Sequence, residues 1–526
     1  MRSTVAISRP KRIAPACFSM AASIIPRSSL CITALEWASV TPIPQSTFRA
    51  GRTPMLFKQG AGYLLARVIP GLVAFSSLAI YTRILSPEDF GRYVLVLAAV
   101  NLGHVTLFGW LGMALLRFMP SRLDESGTLL STTLGMYVLL VLAVVCGMTA
   151  SLILVPSAWR GFLVAGMIAL CAGAWLETNL NLCQSRLLPG RYGSLLMLRS
   201  VCALAIGSGL SMNGWGAYGP LTGLIAGALI ASIGATRSGW RGVRPQINRP
   251  LASELLRYGA PLTGSAALLL IMSSADRFMI ARFIDNTAVG AYSASYDLAS
   301  QSLGLLMVSV NLAAYPLAIR AYERGGRDAA LSQLRQHGSF LLLIALPATI
   351  GLILLSEPLA IVCLGEEYRS TAALILPWIG GAIFIAGLKA YFFDIAFQLA
   401  KRSATMMWSV GTGALVNIAL NFWCIPAFGV LGAAWATMAA YVAALAVCVS
   451  LGRSLMPITF DWEEVIRIVA CCAVMTLAVL AYPPQEGLLG LLLQVFTGVI
   501  VYGTAAVAID ALGLRGMLVA RVRSWV

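Results

Sequence analysis

Charge is what this sequence has least of. Only 11% of its 526 residues are Asp, Glu, Lys or Arg, against 59% hydrophobic, and mean hydropathy is +0.83. A soluble domain carries roughly 25% charged residues, because water must solvate its surface. A deficit of this size excludes a soluble globular protein and makes hydrocarbon the medium facing most of the chain. Acidic residues are scarcer than basic ones, 21 against 37, for a net charge of +16. The basic excess is spread over short segments between apolar runs, not gathered in a patch or stripe, so nucleic acid is not an expected partner. Histidine is nearly absent: His104 and His337 are the two, and neither has a metal-ligand neighbour at useful spacing. The eleven Cys contain no CxxC; Cys146, Cys171, Cys202, Cys424 and Cys448 lie in apolar runs, and adjacent Cys471 and Cys472 have poor geometry for a bridge. They read as small apolar packing residues. No metal and no other cofactor is expected. The chain also lacks a Walker A lysine loop, an HExxH and a GxSxG in a strand-to-helix context, so no catalytic residue is assigned and bound ATP is not the energy source.

Residues 1–54 differ from the rest. They hold seven basic residues against the single acid Glu36, with six Pro, and Pro15 and Pro26 interrupt any secretory apolar core. Two readings fit this basic Pro/Arg-rich extension: a disordered tail, or a start assigned too far upstream. The second is favoured, because Met55 opens directly onto Lys58 and the first long apolar run.

From there, apolar runs long enough to cross roughly 30 Å of hydrocarbon follow one another with little between them. Fourteen are expected, from 59–84 to 487–510. Ser86, Pro87, Glu88 and Asp89 form a helix start at the second: a capping side chain, proline at the first position, then acids at the positive end of the dipole. Segments after even-numbered runs, together with the tail, hold nineteen basic residues, and those after odd-numbered runs hold five. The positive-inside bias then places both termini in the cytoplasm and requires an even count. The expectation is a multi-pass protein of a bacterial cytoplasmic (inner) membrane. The longest loops, Arg237 to Leu255 and Arg320 to His337, fall on the basic side, and the amphipathic stretch Asp328 to Gln336 reads as an interfacial helix.

The two sides of the Arg237–Leu255 segment resemble each other. Pro70 and then Phe90-Gly91-Arg92-Tyr93 in the first half match Pro261 and then Val289-Gly290-Ala291-Tyr292 in the second; Ala217–Gly223 matches Ala427–Gly432. The expected fold is therefore an all-α integral membrane protein of about 14 transmembrane helices. Its two six-helix lobes would be related by a pseudo-two-fold along the membrane normal, with an added C-terminal helix pair. The expected divisions are an N-terminal lobe at 55–236, a cytoplasmic linker at 237–255, a C-terminal lobe at 256–455 and the extra pair at 456–526.

Ionisable residues inside such runs cost about 2.5–3.5 kcal/mol each at the bilayer centre, so they face a cavity or a partner. The basic candidates are Arg67, Arg199, Arg277 and Lys389; the acidic ones are Glu177, Asp276, Asp297 and Asp394. Asn101, Asn179, Asn181, Asn311, Asn417 and Asn421 add neutral polarity. Arginine offers a bidentate fork to phosphate oxygens and lysine a point charge, so the basic set suits an anionic head group such as a pyrophosphate. Arg67 and Arg277 stand at similar depths in equivalent runs. For Glu177, Asp297 and the Asn residues, pairing between helices is the favoured reading. Lys389 and Asp394 are five apart, a poor spacing for a pair within one α-helix.

The strings Tyr63–Arg67 and Thr82–Tyr93, together with Leu256–Leu262, Asp276–Ile280, Gly290–Tyr292, Leu364–Tyr368 and Asn421–Ala434, resemble the polysaccharide-unit flippases of O-antigen type. The resemblance covers 55–455. It implies the multidrug/oligosaccharidyl-lipid/polysaccharide exporter fold, with two lobes around a central cavity worked by alternating access. It also implies translocation of undecaprenyl-pyrophosphate-linked oligosaccharide units for surface polysaccharide biosynthesis. In that family cationic cavity residues hold the pyrophosphate, which points to Arg67 and Arg277, with Asp276 as the best acidic match for coupling. The implied partners are the lipid-linked substrate, membrane lipids, and a polysaccharide polymerase with other assembly proteins. Alternatives are a cation-coupled multidrug exporter, a peptidoglycan-precursor flippase of the same fold, and a membrane-embedded polymerase. The short odd-numbered loops argue against an enzyme such as the last.

Overall fold

The computed structural model of the chain describes residues 53–516 apart from 123, 401 and 482–486, with side chains left out at 53–68, 262, 265, 403 and 404. The extension expected at 1–54, apart from its last two residues, lies outside the described residues, as do the side chain of Arg67 and the basic Lys401, Arg521 and Arg523. The described residues form helices: α1 Thr53–Ile84, α2 Pro87–Gly103, α3 Gly109–Phe118, α4 Ser126–Ser151, α5 Ser157–Ser185, α6 Pro189–Leu210, α7 Tyr218–Gly239, α8 Arg249–Phe283 and α9 Asn286–Leu354. They continue with α10 Ser356–Cys363, α11 Glu366–Leu388, α12 Ile395–Leu399, α13 Ser403–Leu455, α14 Trp462–Ala481 and α15 Gly487–Ala508.

Ten helices among the described residues are long and apolar enough to cross a membrane, and α8, bent by 48° between Arg249–Pro261 and Ala266–Phe283, makes eleven. Two of them are too long for one crossing. Helix α9 has 69 residues and would run roughly 100 Å if straight; it breaks at Gly326, whose φ of 70° lies in the left-handed region that glycine tolerates. Helix α13, with 53 residues, breaks likewise at Gly429 with φ 61°. Counting two segments in each, and α1 as one, brings the number of spans to the expected fourteen. A one-residue break at Gly326 thus replaces most of the loop expected between Arg320 and His337. Within it, stretch 328–336 is helical and buries Ala330 and Leu334 against the core that includes Tyr315, Ala318 and Leu341.

The helix ends follow local chemistry. The Ser86 side chain accepts a bond from the Asp89 N–H at 3.2 Å, with Pro87 behind it, and so starts α2. Asn248 caps α8 through the Leu251 N–H at 3.2 Å, and Asp285 caps α9 through the Ala288 N–H at 2.7 Å. Each cap satisfies a donor that the first helical turn leaves without a carbonyl.

Two sets of helices result. In the first, α6 packs on α7 and α1, and α5 on α7; in the second, α11 packs on α9 and α13, and α13 on α8. The sets meet where α2 lies on α9 and where α3 lies on α8. Helices α14 and α15 pair with each other and rest on α9 and α10. The segment between the sets folds back on the first: Trp240 donates its indole N–H to Asn179 Oδ1 at 3.0 Å and stacks obliquely on Trp175, and the Gln246 N–H reaches the Ser131 carbonyl.

Candidate functional site

Asp276 and Arg277 are neighbours on α8 with different surroundings. Arg277 donates from Nη2 to Asp297 Oδ1 on α9 at 2.8 Å and lies over the Tyr296 ring at 5.5 Å. The side chains of the pair remain 15% and 32% exposed. One bond of a five-donor guanidinium is used on Asp297, and the rest of the fork can take another oxygen anion. Tyr296 extends the polar surface to the Tyr441 hydroxyl, 3.4 Å away on α13.

Asp276 is 2% exposed. Its Oδ1 accepts from Asn421 Nδ2 at 2.5 Å, and its Oδ2 from the Tyr292 hydroxyl at 2.8 Å and Thr437 Oγ1 at 2.7 Å. Neutral donors on α9 and α13 thus cradle a carboxylate with no cation bonded to it among the described residues. Asn421 Oδ1, Asn417 Oδ1 and Ser293 Oγ are buried on the same helices without hydrogen-bond partners. Asn421, which donates to Asp276, thus keeps a spare oxygen acceptor beside the acid, chemistry that a proton or small hard cation would satisfy.

Lys389 and Asp394 correct the sequence expectation. Residues five apart do pair here, with Lys389 Nζ donating to both Asp394 oxygens at 2.9 and 3.0 Å. The reason is local: Lys389–Phe393 is a π-helical turn, where the Asp394 N–H bonds the Lys389 carbonyl at 2.8 Å. The i→i+5 bond brings the fifth residue above the first, where an α-helix would place the fourth. Cys448 on α13 donates its thiol to the same carboxylate. Both side chains are 8% exposed. Their bonded partners are each other and Cys448, so Lys389 is neutralised in place and is not brought to Arg277.

The first helix set contributes Arg199 on α6 and Glu177 on α5. Tyr93 on α2 lies within electrostatic reach of both Arg199 and Asp297. His104 lies within reach of Glu177 and Arg199. His104 begins a second π-helical turn, His104–Phe108, which interrupts the span made by α2 and α3. Arg277 and Asp297 are brought into contact, Asp276 adjoins them through its neighbour, Arg199 and Glu177 lie within electrostatic reach of His104, and Lys389 with Asp394 stand apart. Sequence reasoning passed over His104, Tyr93 and Tyr296. A lone histidine inside a long apolar run is itself a costly residue, and that was the available signal. Among the described residues no group of three or more His, Cys, Asp or Glu could hold a metal ion.

The two sets touch along two seams. At one, backbones touch: a Cβ on Gly91 would lie 1.9 Å from the Asn286 carbonyl oxygen, one on Gly290 2.0 Å from that of Pro87, and one on Gly365 1.8 Å from that of Thr82. Arg83 donates to the Val362 and Cys363 carbonyls at the end of α10, and the Tyr368 hydroxyl donates to the Leu85 carbonyl at 3.0 Å. At the other, Gly259 on α8 fits against the backbone of Trp110, and Arg122 donates to both Glu254 oxygens at 2.8 and 2.9 Å.

The profile of a family described as polysaccharide biosynthesis protein matches residues 80–373. Among solved structures, the chain is similar to a lipid II flippase, MurJ, in an inward closed conformation: 15% identity, TM-score 0.73, covering 85% of this chain and 98% of that one. It is also similar to an inward-facing multidrug resistance MATE family transporter of the MOP superfamily, at 15% identity and TM-score 0.54 over 78% and 98% of the two chains. A MOP superfamily transporter from Pyrococcus furiosus matches at 12% identity and TM-score 0.51, over 78% and 94%. At these identities the likeness establishes a shared fold. No curated protein matches the sequence.

Proposed function

Because the chain belongs to the polysaccharide biosynthesis protein family, we propose that it is a flippase, without covalent chemistry of its own, for oligosaccharide units linked to undecaprenyl pyrophosphate. It would carry them across the bacterial inner membrane for surface polysaccharide assembly, with both termini cytoplasmic. The observation that supports this reading is the Arg277–Asp297 pair, an arginine with donors to spare inside an apolar bundle, with Arg199 of the first helix set within electrostatic reach of the same Tyr93 as Asp297. A pyrophosphate entering between the sets displaces Asp297 from part of the Arg277 fork and draws Arg199 toward it, tying both sets to one ligand. The sugar chain occupies the polar interior while the polyprenyl tail stays in hydrocarbon. Arg67, whose side chain lies outside the described residues, would add a third cation from α1.

Asp276 is the proposed coupling group. A proton or cation taken up in its cradle changes the charge beside Arg277 by one unit and alters the strength with which that arginine holds Asp297 or phosphate. Loading from the cytoplasmic side and release toward a periplasmic polymerase then follow from opening one seam while the other is shut.

A second reading, a peptidoglycan-precursor flippase, is favoured by the near-complete coverage of the lipid II flippase fold, and it shares the pyrophosphate chemistry. Gene deletion separates the two. Loss of surface polysaccharide with completed oligosaccharide units retained on the cytoplasmic leaflet is expected; retained peptidoglycan precursor selects the second reading. Completed single units already facing the periplasm would refute flipping and point to polymerisation. Arg277→Ala and Arg199→Ala should each reproduce the deletion at normal protein level, and wild-type export in both would reject the site.

A further inference from the structure

A cavity of about 390 Å³ lies between α5, α6 and α7, within the first helix set. Its lining is divided by chemistry. Arg186 at the end of α5, with Arg191 and Ser194 in the first turns of α6, forms one part; Leu195, Leu198 and Ile230 are among the apolar residues of the other. Both guanidinium groups act electrostatically on the thiol of Cys183, which also lines the cavity, so the two arginines converge on it. No carboxylate lines the cavity, and neither arginine forms an ion pair among the described residues. By contrast, Arg92 pairs with Glu88 and Arg122 with Glu254. Leu198 and Ile230 are 42% and 38% exposed, so the apolar part opens toward the hydrocarbon side of the bundle.

We propose that this cavity binds an anionic phospholipid, with the phosphate held between Arg186 and Arg191 and an acyl chain lying on Leu195, Leu198 and Ile230. The arrangement fits a lipid better than a free anion. A water-soluble phosphate would use the arginines and leave the apolar slot empty, whereas a membrane lipid fills both and arrives already oriented. Two guanidinium groups at the leaflet surface also select for charge, since juxtamembrane basic residues draw anionic head groups over neutral ones. The site lies on the end of the set where the basic loops gather, the leaflet from which such a lipid would come. Its occupant bridges α5, α6 and α7, and so braces the helix that carries Arg199.

The test uses the full chain purified in neutral detergent, stripped of lipid and titrated with dioleoyl phosphatidylglycerol, dioleoyl phosphatidylcholine and farnesyl diphosphate, with adducts counted by native mass spectrometry. Phosphatidylglycerol should bind in preference to phosphatidylcholine. The Arg186→Gln/Arg191→Gln variant should bind it about thirtyfold more weakly, and either single variant about fivefold more weakly. Phosphatidylcholine binding and the melting temperature in lipid-free detergent should not change; if the double variant unfolds, the single variants carry the same comparison. Equal binding of the two phospholipids, or unchanged phosphatidylglycerol binding in the variants, overturns the proposal. Farnesyl diphosphate binding that falls in these variants and exceeds that of phosphatidylglycerol also overturns it, because the cavity would then belong to the substrate route.

Discussion

Gly290→Ala should force open the seam between α2 and α9. The new Cβ would stand 2.0 Å from the Pro87 carbonyl oxygen, a backbone atom that no rotamer change can move. Reaching ordinary contact near 3.4 Å requires the two helices to part by roughly 1.4 Å. Such overpacking costs about 1–3 kcal/mol, and it falls only on the conformation in which the seam is shut. Alanine in place of glycine favours the helix itself by about 1 kcal/mol, equally in both conformations, so the fold is retained. The shut-to-open ratio should then fall by about 5- to 150-fold. Cys363 is a natural reporter: it is 9% exposed at the end of α10, its carbonyl bonded to Arg83 across the same seam. A membrane-impermeant maleimide applied from the proposed periplasmic side, followed by mass spectrometry of the Cys363 peptide, should show faster labelling in the variant and reduced export. Gly91→Ala should act alike, because its Cβ would meet the Asn286 carbonyl at 1.9 Å. The double variant should add little, since one parting relieves both contacts. Wild-type labelling and export in both single variants would refute the seam as a moving part.

Asp276→Asn should leave protein level near normal, because the Tyr292 and Thr437 hydroxyls can turn to accept from the new amide, yet abolish the dependence of transport on the coupling proton or cation; an unchanged dependence in reconstituted vesicles would remove Asp276 from coupling. Lys389→Met should destabilise by about 3–5 kcal/mol by stranding the buried Asp394 carboxylate, while Lys389→Met/Asp394→Leu recovers most of the loss. Thermal unfolding in detergent checks this, and a single variant as stable as the parent would show that the pair is not sealed from water.

Long apolar runs and loop charge made the span count readable, because hydrocarbon leaves few ways to arrange a backbone that must satisfy its own hydrogen bonds. The start of α2 was readable for a different reason: Ser86 and Pro87 act within a single turn. What could not be read was any partnership set by tertiary packing or by an irregular turn. Asp276 finds Asn421 and Thr437 at separations of 145 and 161 residues, and no periodicity links them. Lys389 and Asp394 looked mispaired because helical spacing was assumed where a π-turn stands. His104 was dismissed for want of a nearby ligand in sequence, although its neighbours Glu177 and Arg199 come from other helices. The break at Gly326 was hidden for the opposite reason: polar residues around it imply a loop, yet a single left-handed glycine suffices.

The strings that carry the family resemblance have a structural reason to identify a family more sharply than a substrate. Thr82–Tyr93, Gly290–Tyr292 and Leu364–Tyr368 converge on one seam, where Thr82 accepts from the Gly365 N–H at 3.2 Å, Phe90 packs edge-on against Tyr368 at 5.9 Å, and Gly91 meets Gly290. Those residues are specified by how closely two helix sets must approach when shut, and a backbone contact under 4 Å tolerates few side chains whatever is being carried. Residues that meet a sugar face no such requirement; they need only line a polar space, which many sequences accomplish. Leu256–Leu262, Asp276–Ile280 and Asn421–Ala434 are tied in the same way to packing and charge, at the Gly259–Trp110 contact and in the Asp276 cradle. A signature built from the seams and the Asp276 cradle would therefore be shared by family members that carry different oligosaccharides. Differences in substrate should be sought instead on the interior faces near Tyr93, His104 and Tyr296, which the shared strings only partly cover.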